Sequence, residues 1–136
     1  MPKLNIVWLA LTGLSAAAEQ SDARSKFVGT WEAKWKEKVI CTIRLKSGDP
    51  IAGETQACDF RVDANGDLLE PETTEQSDGS SMLILNTKLN GEALTFEEQD
   101  DSEVIKFEMR LVGEGKAELR LLNAPVRINP IAFTRK

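Results

Sequence analysis

The chain has 136 residues, two Cys, no His and no Tyr, and its 17 Lys and Arg against 22 Asp and Glu leave a formal charge of −5. That length allows one ordinary domain. Without His, the Cys–His and Ser–His–Asp arrangements and His-containing zinc sites are excluded, and two Cys cannot build a four-Cys site. The acidic balance argues against nucleic-acid binding.

The first 18 residues have the order of an export signal. Lys3 supplies a cation, residues 6–14 are mostly apolar, and Ser15-Ala16-Ala17-Ala18 offers a small-residue cleavage site. Cleavage there starts the mature protein at Glu19 and places it in the periplasm or outside the cell. No Cys follows the small residues, so no lipid anchor is expected. No apolar run reaches the roughly 20 residues of a membrane span. Residues 19–26 are polar and read as a flexible lead-in, which leaves residues 27–136 as the domain.

From Phe27 onward apolar residues alternate with polar ones, the period of a strand buried on one face. Trp31, Ala33 and Trp35 share a face, as do Val39, Cys41, Ile43 and Leu45. The alternation returns at Phe60 and Val62, at Leu83 and Leu85, and at Leu94 and Phe96. It continues through Ile105, Phe107, Met109 and Leu111, then Leu119 and Leu121, and ends at Ile131 and Phe133. Turn residues separate these runs. A turn at Glu37 sets Trp31 opposite Ile43. Asn65-Gly66 sets Val62 opposite Leu69. Asn90-Gly91 sets Leu85 opposite Phe96 and Thr87 opposite Leu94. The segment 99–102 brings Phe96 near Ile105, and Gly113-Glu114-Gly115 sets Met109 opposite Leu119. The acidic stretch 67–80 breaks the alternation and reads as a loop.

Consecutive hairpins make an all-β chain, an antiparallel up-and-down meander of eight or nine strands. Closing it into a barrel buries the apolar face and removes both edges. A two-layer β-sandwich is the alternative.

Cys41 and Cys58 flank the turn cluster Ser47-Gly48-Asp49-Pro50. A hairpin centred between Asp49 and Pro50 sets the two directly opposite, within disulfide reach, and export supplies the oxidising compartment. Asp63-Ala64-Asn65-Gly66-Asp67 looks like half of a calcium loop. Its following residues do not fit one, so the hairpin turn is preferred and no metal or cofactor is expected.

Gly29-Thr30-Trp31 opens the first strand, and Arg135 follows the last. This resembles the lipocalin-type barrels, which carry G-x-W at that place. The resemblance implies that Trp31 packs across the barrel floor with the Arg135 guanidinium on its indole. The chain departs from classical lipocalins in lacking their Tyr-containing motif and their C-terminal helix.

Gln56 and Thr87 fall in inward registers, and with Trp35 they are the candidates for contacting a ligand. Met82, Ile84 and Val104 fall outward beside acidic residues and form a candidate protein-contact patch. The acidic run 97–103 reads as a solvated hairpin end. No residues for a nucleophile–base device stand out, so no enzyme is expected. The leading expectation is an exported, non-enzymatic, lipocalin-like barrel with a small apolar ligand in its mouth. The alternative is a surface interaction module, such as an inhibitor or envelope accessory protein, with a filled barrel.

Overall fold

The computed structural model describes residues 23–56, 58, 60–70 and 81–136. The expected signal peptide with its cleavage site, and residues 71–80 of the expected acidic loop 67–80, lie outside the described residues. At the end of the lead-in, residues 23–27 form one helical turn rather than a loose segment. Arg24 anchors it through an ion pair to Asp49, 3.2 Å away.

Nine strands follow in chain order: β1 (Gly29–Trp35), β2 (Lys38–Lys46), β3 (Ala52–Gln56), β4 (Ser81–Leu83), β5 (Leu85–Asn90), β6 (Ala93–Asp100), β7 (Glu103–Gly113), β8 (Lys116–Leu121) and β9 (Ile131–Arg135). They form a single sheet in the order β4-β3-β2-β1-β9-β8-β7-β6-β5. Every neighbouring pair is antiparallel. The first and last strands pair, Trp31 with Arg135.

The two ends of that order, β4 and β5, are consecutive halves of one extended run interrupted at Ile84. The first half pairs with β3 and the second with β6. The Ile84 N–H still donates to the Gly53 carbonyl at 3.1 Å. One run therefore serves both edges. The result is a nearly closed meander barrel with eight strand positions and one seam, where the run changes partner. The continuous ladder from β4 round to β5 disfavours the sandwich.

Local chemistry sets the turns. Lys36 and Glu37 both have positive φ, 47° and 72°, the twist a two-residue hairpin needs. That tight turn pairs Trp35 with Lys38, and a bulge at Ala33/Lys34 restores the expected Ala33–Cys41 and Trp31–Ile43 pairs. Val39 consequently points out and Ile40 in. The β7–β8 register is the expected one, with Leu111 opposite Ala117, Met109 opposite Leu119 and Phe107 opposite Leu121.

Other registers differ from the sequence expectation. The β5–β6 turn uses Gly91 and Glu92, which pairs Leu89 with Leu94, and a bulge follows between Leu85 and Lys88. Phe96 pairs with Phe107, not Ile105, and their rings stack at 5.2 Å. Val62 bridges to Leu68, not Leu69.

The core inside the barrel includes Trp31, Ile43, Leu45, Leu94, Phe96, Phe107, Met109, Leu119, Ile131 and Phe133. Outward registers carry cross-strand charge pairs, Arg44 with Glu54, Glu108 with Arg120 and Arg110 with Glu118. Such a face suits water rather than lipid. No described helix is long and apolar enough to cross a membrane.

Candidate functional site

The two ends of the barrel are built differently. At the floor, the G-x-W segment begins β1. Trp31 has no exposed surface, and its Nε1 donates to the Phe27 carbonyl at 2.8 Å. The Arg135 guanidinium carbon lies 5.5 Å from the indole centroid, and Arg135 Nη1 donates to the Lys26 carbonyl at 2.9 Å. Gly29 sits at φ 134°, where a Cβ would come within 3.1 Å of Arg135 Cδ. Only glycine combines that backbone angle with that approach. The helical turn supplies Phe27, also fully buried, so the floor is shut by side chains.

The upper end carries the 36–37 and 101–102 turns, the segment after β3 and the β8–β9 connection. Its apolar side chains Trp35, Phe60, Leu68, Ile105, Leu121 and Ile128 are only partly buried against the core. The Lys36 ammonium lies 4.8 Å from the Trp35 ring. Cys41, fully buried on β2, is bonded to Cys58 just beyond β3. The disulfide forms although the β2–β3 register, Thr42 opposite Gln56, centres the hairpin on Asp49. Cys58 therefore reaches Cys41 from beyond the strand rather than from the facing position. The bridge is consistent with an oxidising compartment.

That register corrects one candidate. Gln56 lies on the outer face, where it accepts a hydrogen bond from Arg44 Nη1 at 2.7 Å. Thr55 takes the inward place beside Ile43 and Met82. Thr87 is half-buried, and its hydroxyl is committed to the Ile51 carbonyl at 2.6 Å. Trp35 stands half-buried at the upper end. The three candidates do not converge on one place.

A different pair does lie inside. Thr55 Oγ1 donates to Glu98 Oε1 at 2.6 Å, and the two residues are only 4% exposed. Glu98 stands on β6 opposite Ile105, one step above the stacked Phe96 and Phe107. The acidic run 97–103 is thus partly strand, with one carboxylate turned into the barrel. A buried carboxylate is costly unless hydrogen-bonded, which Thr55 helps satisfy. The pair also ties β3 to β6 across the seam, where no backbone ladder joins them. Leu94, Phe96 and Glu98 share a parity, so extending the alternation by two residues would have marked Glu98. Thr55, in Ala-Gly-Glu-Thr-Gln, had no such neighbour.

The proposed outward patch is also corrected. Ile84 is buried and Met82 half-buried, because the strand's inward parity falls on the even positions there. Leu83, at 70% exposure, and Leu85 point outward instead, and Val104 is exposed as expected. Among the described residues no cluster of three or more metal-ligating side chains occurs. Comparisons with protein-family models, curated proteins and solved structures return no match. The nearly closed antiparallel barrel is compatible with a lipocalin-like architecture.

Proposed function

We propose that the protein is an exported, non-enzymatic, lipocalin-like barrel that holds a small, mainly apolar molecule at its upper end. The observation that carries this reading is the buried Thr55–Glu98 pair, set among the half-buried apolar residues of the end opposite the sealed floor. A few polar groups in an apolar surround are what orients a small ligand. A carboxylate accepts several hydrogen bonds, so the fitting molecule carries a hydroxyl or amine donor on an apolar body. Native mass spectrometry of protein from its own source tests this. A co-purifying small molecule, lost in Glu98→Gln, supports it. Protein that carries none, and binds none from a panel of apolar alcohols and amines, overturns it.

A second reading is a surface interaction module. It is favoured by Leu83 and Leu85, exposed on either side of the seam with Glu97 paired to Leu85, and by the exposed Val104 farther round on β7. An apolar centre with a charged rim suits protein contact.

A further inference from the structure

The segment after Cys58 has its own internal structure. Val62 bridges to Leu68, and Leu69 N–H donates to the Arg61 carbonyl at 2.7 Å. Asp63 Oδ1 accepts from the Asn65 and Asp67 amides at 2.8 and 3.0 Å. Gly66 N–H closes onto the Asp63 carbonyl at 3.0 Å. This small hairpin rests Phe60 and Leu68 on the core at the upper end.

One residue of the β8–β9 connection holds it there. Asn129 N–H donates to the Gly66 carbonyl at 2.9 Å, and Asn129 Nδ2 donates to the Asn65 carbonyl at 3.2 Å and to Asp67 Oδ1 at 2.7 Å. Gly66 is buried against this connection. A Cβ there would sit 3.0 Å from the Arg127 carbonyl oxygen and 3.1 Å from Asn129 N, at a φ of 87° that also favours glycine.

The segment is held together by its own turn and is fastened to the β8–β9 connection by one backbone hydrogen bond, from Asn129 to Gly66, and two side-chain hydrogen bonds that face water. Such bonds exchange readily with solvent, whereas the internal turn need not break when they do. We propose that residues 60–70 are a lid over the upper end of the barrel. Asn129 is its clasp and the Cys41–Cys58 disulfide its tether, and access to the upper interior is through release of the clasp. This inference stands on contacts alone and does not depend on the ligand reading.

Asn129→Asp and Asn129→Ala test it. The first removes the side-chain donor and sets a second carboxylate against Asp67, and the second only removes the donor. Two measurements on the intact, oxidised protein decide. In amide hydrogen exchange, the residue-129 amide loses protection by about tenfold or more, as expected when hydrogen bonds of this class are lost. The lid's internal amides, Gly66 and Leu69, and the β7–β8 ladder keep theirs. The dithiothreitol reduction rate of the disulfide, whose Cys41 half is buried, rises in parallel, more for Asp than for Ala. Equal loss of protection inside the turn would mean that the segment melts rather than swings, and overturns the lid. An unchanged reduction rate overturns the gate. If Asn129→Asp does not fold, Asn129→Ala alone decides by the same two criteria.

Discussion

At the floor, an indole without exposed surface is hydrogen-bonded to the carbonyl of the equally buried Phe27 and has the Arg135 guanidinium over its ring. At the upper end, the side chains over the core are half-buried, and hydrogen bonds facing water hold the covering segment in place. Closure by dispersion and apolar burial resists local opening, because each contact is lost only by making a cavity. Closure by solvent-facing polar contacts costs little to undo. One barrel thus carries a permanent seal and a releasable one. The difference follows from which residues the sequence supplies at each end: Gly, Trp and Phe below, Asp, Asn and Gly above.

The largest expected effect breaks the permanent seal. Trp31→Ala removes the largest fully buried side chain among the described residues. A large-to-small core change of this kind costs about 3–5 kcal/mol. Chemical denaturation measures it, and a loss below about 1 kcal/mol on the same scale would mean that the floor is not the anchor described. Next is the tether. Replacing Cys41 and Cys58 together by Ala opens a loop of sequence separation 17. Loss of a bridge of that span costs about 3 kcal/mol. Under reducing conditions the wild-type protein should fall to the stability of this variant.

A smaller effect sits between the two ends. Thr55→Val deletes the hydroxyl that donates to Glu98. Weakening the solvation of a buried carboxylate costs about 1–3 kcal/mol. Thr55→Ser, which keeps the hydroxyl, should recover most of it. Equal losses in both variants would assign the effect to packing and leave the Thr55–Glu98 bond without weight across the seam.

The fold class was legible because inward and outward residues alternate over most strands, and because turn residues punctuate them. Where both partners of a hairpin are strongly patterned, as in β7 and β8, the register followed too. It failed where the pattern is silent. Ala52-Gly53-Glu54-Thr55-Gln56 offers no apolar residue larger than Ala to choose a face, so a turn misplaced by half a residue exchanged Thr55 for Gln56. Leu83-Ile84-Leu85 is apolar throughout, and the bulge between Leu85 and Lys88, with Asn86 at φ 53°, has no composition signal. The floor needed only the short G-x-W segment and a terminal Arg. The upper end depends on contacts such as Asn129 with Asn65 and Asp67, 64 and 62 residues apart. No local pattern announces them.

The smallest expected effect on stability separates the two functional readings. Leu83 is 70% exposed on the outer face of β4, so most of its surface already meets water. Its strand partner is Glu54. Leu83→Lys places a cation opposite that carboxylate, a cross-strand pair worth a few tenths of a kcal/mol at most in the open. The fold should therefore change in stability by no more than about 0.5 kcal/mol, the range of ordinary surface substitutions. What does change is the exposed apolar surface that Leu83 and Leu85 present along one run. If the protein acts by contact with another protein, Leu83→Lys abolishes self-association in sedimentation, or capture of a partner, while uptake of an apolar small molecule is untouched. If the barrel's upper end is the working site, the variant behaves as wild type in both assays, and Glu98→Gln is the substitution that silences it. A Leu83→Lys protein that loses several kcal/mol of stability would instead place Leu83 inward and reverse the assignment of faces around Ile84.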